Sequence, residues 1–168
     1  MRRLPRVFSW RAFQTEPLIG TLAPVPVTAT QVRRTSARVA CADDYPPVCE
    51  ALQRGLDPER FTFAGAVSDI RSLDWLLEQV KPAILLLDLD MPGGERPLSW
   101  LARSAAKYPF TRVVVYSAHP DREFIDEAIG SGAWGYIVKG DEPARLSDLL
   151  TRVLEGQMVF SRSADVMD

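Results

Sequence analysis

Short apolar segments alternate with longer amphipathic segments from residue 37 to residue 155. Unbroken apolar runs such as 83–87 are typical of strands buried on both faces of a parallel sheet, and apolar residues at helical spacing mark the longer segments. The predicted strands are 37–42, 61–66, 83–87, 112–116 and 135–138. The predicted helices are 46–55, 69–80, 97–107, 121–129 and 143–155. This strict alternation predicts an α/β fold, in which right-handed crossovers cover both faces of a parallel sheet.

Proline, serine and glycine residues predict where several helices begin and end. Pro46 and Pro47 lie in the first turn of the first helix, where the missing N–H costs little. Ser68 is predicted to cap the second helix through its hydroxyl group. Gly130 and Gly132 are predicted to end the fourth helix.

The composition is that of one globular domain. The chain has 168 residues, of which 46% are hydrophobic and 25% charged, so it can bury a core. No apolar run is long enough to span a membrane, and the N-terminus lacks the apolar stretch of a secretory signal, so we expect a cytoplasmic protein. Cys41 and Cys49 fit no zinc spacing, and we interpret both as reduced core residues.

The two ends of the chain differ from the predicted domain, residues 37–158. Residues 1–36 contain six arginines and one glutamate, so their net charge is +5. The whole chain has a net charge of −2, and residues 37–168 therefore carry −7. Prolines interrupt this basic segment, and it shows no sustained period. We interpret it as a disordered extension or as translation from an unused upstream start; the alternative is an arm that binds nucleic acid or acidic lipid. Residues 159–168 are predicted to be a short tail.

Polar side chains follow four of the predicted strands. Asp43 and Asp44 follow the first strand, Asp88 the third, Ser117 the fourth and Lys139 the fifth. Because ligands of open α/β sheets bind beyond the carboxyl ends of the strands, we expect these five residues to meet in one site.

The chemistry of this residue set indicates phosphoryl transfer. Three neighbouring carboxylates repel one another unless they hold protons or bind a cation, and oxygen ligands suit Mg²⁺ or Mn²⁺. Lys139 can pair with a phosphoryl oxygen, and Ser117 can donate a hydrogen bond to one. An Asp nucleophile, a metal ion and a Lys suffice for this reaction. The sequence shows no glycine-rich phosphate loop of the Walker type, so nucleotide is not the expected donor. His119 is interpreted as a rim residue, with a general base as the alternative.

The motifs carry a family resemblance. They are ADD at 42–44, LLDLDMPG at 86–93, VVYSAH at 114–119 and GYIVK at 135–139. At this order and spacing, residues 37 to about 158 resemble the receiver domain of two-component response regulators, nearest to the NarL-like subclass. The resemblance implies a flavodoxin-like (βα)5 fold, a doubly wound parallel sheet of five strands in the order 2-1-3-4-5.

The resemblance also implies roles for the acidic residues. Asp88 matches the phosphoacceptor of the family. Asp44 matches the direct metal ligand, and Asp43 the acid that holds metal-bound water. The backbone carbonyl of Asp90 is expected to complete the metal shell. Asp90 and His119 match positions that flank the phosphate and tune the lifetime of the phosphoryl group.

Three further positions match the switch of the family. Ser117 matches the switch hydroxyl, Tyr136 the switch aromatic and Lys139 the lysine that pairs with the phosphate. The expected mechanism moves Ser117 towards the phosphoryl group, and Tyr136 then rotates inward to fill the vacated space. Gly140 departs from the family, where proline most often follows the lysine, and this departure is expected to loosen the loop.

The resemblance implies partners as well. The expected phosphoryl donor is a sensor histidine kinase or a phosphotransfer protein, and acetyl phosphate can replace it. The chain is expected to act as a switch and not as a turnover enzyme, and to dock on an unknown output protein, with homodimerisation on phosphorylation also open. Few residues remain beyond 155 for a helix-turn-helix domain, so no DNA binding is expected. Either the protein signals by docking or it is a truncated relative of a NarL-like transcription factor.

Two other classes compete with this interpretation. A pseudo-receiver would keep the fold and bind partners without being phosphorylated. Phosphatases of the haloacid dehalogenase type also use Asp, Ser or Thr, Lys and Mg²⁺. They fit less well, because Asp88 lies on the third strand and Arg145 stands where their second acid is expected.

Overall fold

The computed structural model describes residues 36–140 and 143–160. The predicted N-terminal extension, apart from Ser36, and residues 161–168 of the predicted tail lie outside the described residues. The strands are β1 Ala37–Ala42, β2 Phe61–Val67, β3 Ile84–Leu87, β4 Arg112–Ser117, β5 Gly135–Val138 and β6 Val159–Phe160. The helices are α1 Pro46–Gly55, α2 Leu73–Val80, α3 Pro97–Lys107, α4 Arg122–Gly130 and α5 Pro143–Leu154, with a 3₁₀ turn at Ile70–Ser72.

The strands form one parallel sheet in the order β2-β1-β3-β4-β5-β6. The predicted α/β fold and the order of its first five strands are therefore confirmed. None of the helices in the described ranges is both long and apolar enough to cross a membrane.

The sheet separates two apolar layers, because alternate residues of a strand point to opposite faces. In β3, Leu85 and Leu87 pack into the layer beneath α2, α3 and α4, whereas Ile84 and Leu86 pack into the layer beneath α1 and α5. All four side chains are fully buried. Burying a side chain of this size stabilises a fold by about 1.5–3 kcal/mol. The fully apolar strand is therefore explained by burial on both faces.

The start of the second helical segment differs from the prediction. Asp69, and not Ser68, provides the cap, because its carboxylate accepts a hydrogen bond of 3.2 Å from the Ser72 amide. A 3₁₀ turn then precedes α2. Ile70 in this turn is buried, and its amide donates to the carbonyl of Pro92 in the loop after β3. This tertiary contact fixes the turn and is not visible in local sequence preferences.

A sixth strand was not predicted, and two residues assigned to the tail form it. Val159 and Phe160 extend the sheet beside Gly135 and Tyr136 of β5. A β-carbon on Gly135 would lie 2.6 Å from Cγ2 of Val159. The missing side chain of Gly135 therefore makes room for β6.

Candidate functional site

The register of β1 and β3 brings the predicted acidic residues together. Ala42 at the end of β1 pairs with Leu87 at the end of β3, and the amide of Asp88 donates a hydrogen bond of 2.9 Å to the carbonyl of Ala42. Asp43 and Asp88 therefore leave neighbouring strands at the same edge of the sheet. Both strands are parallel, so both carboxylates follow carboxyl ends, where α/β folds bind ligands.

Three carboxylates form a cluster at this edge. Asp43, Asp44 and Asp88 each contribute an oxygen atom that lies within 4.8 Å of the other two. Asp43 and Asp88 are buried, with exposures of 2% and 3%, while Asp44 is exposed. The amide of Tyr45 donates to Asp43 Oδ1 at 3.0 Å, and that of Leu89 donates to Asp88 Oδ1 at 2.8 Å. An all-oxygen set of this kind fits a hard divalent cation such as Mg²⁺ or Mn²⁺.

The ammonium group of Lys139 bridges the two buried carboxylates. Its Nζ lies 2.7 Å from Asp43 Oδ2 and 3.0 Å from Asp88 Oδ2. Burial by itself would lower the pKa of Lys139, but the hydrogen bonds and charges of the two aspartates outweigh it and raise that pKa. Lys139 is therefore cationic at neutral pH and supplies a fixed positive charge beside Asp88.

Asp88 is in an environment that disfavours its charged form. Burial is the largest influence and raises its pKa, and the negative charge of Asp43 acts in the same direction. Lys139 opposes both but does not cancel them. Carboxylates crowded in this way gain stability when a cation or a proton joins them.

The predicted switch residues, Ser117 and Tyr136, both bond to the backbone of His119. Ser117 is fully buried at the end of β4, and its Oγ accepts a hydrogen bond of 3.3 Å from the His119 amide. Tyr136 in β5 is also fully buried, and its hydroxyl donates a hydrogen bond of 2.7 Å to the His119 carbonyl. The Tyr136 ring thus already lies inside the fold, whereas the expected mechanism rotates it inward only after phosphorylation.

The side chain of His119 holds the loop after β4 to the loop after β3. Its Nε2 lies 3.0 Å from Asp90 Oδ2, and its ring stacks on Phe124 with centroids 4.6 Å apart. The predicted position at the rim agrees with a side chain that is 35% exposed. Sequence reasoning missed both contacts. Asp90 lies 29 residues from His119 along the chain, and no local pattern connects these two residues. The role of the Asp90 backbone carbonyl as a metal ligand stays a prediction.

Gly140 follows Lys139 in a conformation that proline cannot adopt. Its φ is +113°, whereas the proline ring fixes φ near −65°. Glycine at this position therefore permits a different path for the chain leaving the site.

Comparisons with known proteins agree with this geometry. Residues 39–151 match the family model of the response regulator receiver domain. The chain is 31% identical over 129 residues to the nitrate/nitrite response regulator protein NarL of Escherichia coli, covering 76% of this chain and 59% of NarL. It is 29% identical over 133 residues to the transcriptional regulatory protein YxjL of Bacillus subtilis, covering 77% of this chain and 59% of YxjL. The chain thus spans about three fifths of the length of these relatives.

Solved structures show the same fold. The signal receiver domain of the response regulator NarL from Mycobacterium tuberculosis superposes with a TM-score of 0.67 at 25% identity, covering 73% of this chain and 98% of that one. The non-phosphorylated receiver domain of the stress response regulator RcsB from Escherichia coli gives a TM-score of 0.70 at 20% identity, covering 76% of this chain and 99% of that one. The family match and the acidic cluster with its lysine lead to one conclusion: this chain belongs to the response regulator receiver domain family.

Proposed function

We propose that Asp88 accepts a phosphoryl group from a sensor histidine kinase or a phosphotransfer protein and that the modified domain signals by docking on a partner. The observation that carries this proposal is the Lys139 ammonium, which lies 2.7 Å from Asp43 and 3.0 Å from Asp88 beside a third carboxylate, that of Asp44. A purely structural site would not need three acids and one cation at the functional edge of the sheet.

A divalent metal fits the donor set. Asp43, Asp44 and Asp88 would hold Mg²⁺ or Mn²⁺, with the backbone carbonyl of Asp90 as a further ligand. When bound, such an ion neutralises negative charge on the carboxylates and on the phosphoryl oxygens during transfer.

The reaction assigned to Asp88 is a displacement at phosphorus. A carboxylate oxygen of Asp88 forms a bond to phosphorus, while the bond between phosphorus and the donor's leaving group breaks and the leaving group keeps the electron pair. Lys139 pairs with a phosphoryl oxygen as negative charge arrives. Asp88 is held in position by burial and by the hydrogen bond from the Leu89 amide, and Lys139 by its ion pairs with Asp43 and Asp88, so little reorganisation is needed.

The signal is proposed to pass through Ser117, His119 and Tyr136. In the structure the Ser117 hydroxyl accepts a hydrogen bond from the His119 amide. On phosphorylation this hydroxyl turns and donates a hydrogen bond to a phosphoryl oxygen. Because Tyr136 is already buried, phosphorylation is proposed to stabilise this inward position, in place of the rotation expected from the sequence. The surface of α4, β5 and α5 would then be held in one shape for a partner. A shift from mostly inactive to mostly active needs about 3–5 kcal/mol of differential stabilisation.

Intact-mass spectrometry after incubation with acetyl phosphate tests the proposal directly. We expect one phosphoryl adduct on the wild type with Mg²⁺, none when the metal is chelated, and none on Asp88→Asn. Asp126→Asn is a matched control, because Asp126 lies exposed on α4, and it should be phosphorylated like the wild type. If the wild type forms no adduct and does not bind the phosphoryl mimic beryllofluoride, the chain is a pseudo-receiver.

A further inference from the structure

A cavity of about 510 Å³ lies at the edge of the sheet opposite the acidic cluster. Its lining comes from the amino ends of three strands: Ser36 and Arg38 at β1, residues 81–83 before β3, and Phe110 and Thr111 before β4. Asp43 and Asp88 follow the other ends of β1 and β3, so this cavity is separate from the proposed phosphorylation site. Its volume falls in the range of small-molecule sites, about 300–1,000 Å³.

Positive charge without a matching acid distinguishes this cavity. Arg38 and Lys81 are the charged residues of its lining. Among the described residues, no acid lines the cavity, and no carboxylate forms an ion pair with either side chain. Residues 37–168 carry a net charge of −7, so two adjacent unpaired cations stand out from the rest of the domain. They create a local positive potential that attracts anions.

The hydrogen bonds around the cavity occupy acceptors and leave donors. Arg38 Nη2 donates to the Lys81 carbonyl at 3.3 Å, and Thr111 Oγ1 donates to the Pro82 carbonyl at 2.8 Å. Arg38 has further N–H groups, and Lys81 an ammonium, that donate to no described residue. A guanidinium beside an ammonium can bind the oxygens of a phosphate monoester, whose charge of about −1.5 to −2 at neutral pH matches the two cations.

The backbone of Lys81 also points to a function for its side chain. Lys81 follows α2 in the left-handed conformation, with a φ of +43°, and within the described ranges it is the one residue other than glycine with a positive φ. Glycine or asparagine is usual at this place after a helix, because a β-carbon raises the energy of the conformation. Strain of this kind is frequent at ligand sites.

An exposed aromatic ring stands at the wall of the same cavity. Phe110 is 90% exposed, more than any other large hydrophobic residue of the described ranges. The faces of its ring are therefore open to stacking by a planar ring, and the bases of nucleotides stack well on aromatic side chains. A ligand that matches the whole cavity joins a phosphate group to an aromatic ring.

We propose that this cavity binds a nucleoside monophosphate, with the phosphate paired with Arg38 and Lys81 and the base stacked on Phe110. The nucleotide is a ligand and not a phosphoryl donor, because Asp88 lies at the opposite edge of the sheet. Binding therefore goes beyond the proposed phosphorylation and does not depend on it.

Isothermal titration calorimetry with chelator in the buffer tests the proposal, because the acidic cluster repels phosphate when no divalent metal is bound. Adenosine monophosphate should bind the wild type at one saturable site. Ribose 5-phosphate, which lacks the base, and adenosine, which lacks the phosphate, should each bind at least about tenfold more weakly. Absence of saturable binding by adenosine monophosphate, or equal binding by either fragment, would overturn the proposal.

A lipid headgroup is another source of a phosphate monoester. Vesicles of phosphatidylcholine and phosphatidic acid present this group without a base, and cosedimentation measures whether the protein binds them. Cosedimentation together with no binding of adenosine monophosphate would overturn the proposal in favour of a lipid site.

Matched variants locate the nucleotide. Arg38→Gln and Phe110→Ala should each weaken binding of adenosine monophosphate by about tenfold or more. Arg54→Gln is the control for charge, because Arg54 is exposed at the end of α1 and does not line the cavity. Trp75→Ala is the control for an exposed aromatic ring, because Trp75 is 62% exposed on α2. Both controls should bind like the wild type, and circular dichroism establishes that each variant is folded. Unchanged binding in Arg38→Gln and Phe110→Ala, or an equal loss in the controls, would place the nucleotide elsewhere and overturn the proposal.

Discussion

The hydroxyl of Tyr136 donates a hydrogen bond of 2.7 Å to the backbone carbonyl of His119, the residue whose amide donates to Ser117 Oγ. The buried aromatic ring and the buried hydroxyl of the site are therefore connected through one residue of the loop after β4. A change at Ser117 reaches Tyr136 over a single backbone unit, which provides a short physical route from the phosphorylation site to β5.

Removing only the hydroxyl of Tyr136 tests this connection. We expect Tyr136→Phe to lower the free energy of unfolding by about 1 kcal/mol, because the partly buried hydrogen bond to the His119 carbonyl is lost while the ring stays packed. Phosphorylation of Asp88 by acetyl phosphate should be nearly unchanged, since Tyr136 contributes no group to the acidic cluster. Urea unfolding and intact-mass spectrometry measure the two effects.

Tyr45→Phe is the matched control for Tyr136→Phe. Tyr45 is 62% exposed, so removal of its hydroxyl should leave stability within about 0.5 kcal/mol of the wild type. If Tyr136→Phe were as stable as this control, the hydrogen bond to His119 would contribute nothing to the fold.

Lys139 is expected to be required for phosphoryl transfer. Lys139→Met removes the cation that pairs with Asp43 and Asp88, and loss of a positioned charge of this kind lowers rates by roughly tenfold or more. The rate of adduct formation with acetyl phosphate and Mg²⁺ measures the effect. Lys81→Met makes the same change in net charge at an exposed position far from the acidic cluster, and its rate should match that of the wild type. Equal rates for the two variants would exclude the role assigned to Lys139.

The raised pKa of Asp88 predicts a pH-dependent stability difference in metal-free protein. Burial, reinforced by Asp43, raises this pKa in the folded state. The contribution of Asp88 to stability is therefore fully present below its unfolded pKa and is lost as the pH rises through the folded value. Asp88→Asn cannot acquire the charge, so at pH 7 with chelator it should be more stable than the wild type, by on the order of 1 kcal/mol.

Two measurements separate this effect from a general effect of the substitution. The advantage of Asp88→Asn should shrink as the pH is lowered from 7 to 4, because Asp88 of the wild type takes up a proton as the pH falls. Addition of Mg²⁺ should raise the stability of the wild type more than that of Asp88→Asn. Urea unfolding across this pH range measures the free energy of unfolding of both proteins. A variant that is less stable than the wild type at pH 7 in chelator would show that the ion pair with Lys139 outweighs burial.

The fold was predictable because its signals are local and repeated. The apolar run at 83–87 and the prolines that open α1 each indicate one element, and strict alternation then fixes a parallel sheet. The candidate site was predictable for a related reason: Asp43, Asp88 and Lys139 follow the ends of apolar strands, and parallel strands bring their ends to one edge.

Features set by tertiary contacts were not predictable. The 3₁₀ turn before α2 depends on the hydrogen bond from the Ile70 amide to the Pro92 carbonyl, which joins residues on different loops. The His119–Asp90 pair likewise joins loops 29 residues apart. The hydrogen bond from the Tyr136 hydroxyl to the His119 carbonyl joins residues on β5 and on the loop after β4. Each is a long-range contact of a single polar group, and no periodicity reports it.

The unpredicted strand β6 yields the last test. A two-residue strand is too short to show a period, but its place depends on Gly135, where a β-carbon would lie 2.6 Å from Val159 Cγ2 and 2.7 Å from the Val159 carbonyl oxygen. Gly135→Ala should therefore displace β6 and lower the free energy of unfolding by about 1–3 kcal/mol, the usual cost of overpacking.

Gly130→Ala is the matched control. Gly130 is the last residue of α4, and a β-carbon there meets no atom within 4 Å among the described residues. Alanine also favours the helix more than glycine does. This variant should be neutral or stabilising by up to about 1 kcal/mol. Urea unfolding compares the two variants, and amide hydrogen exchange at Val159 should accelerate in Gly135→Ala alone. Equal stability and equal exchange in both variants would mean that β6 does not depend on the space beside Gly135.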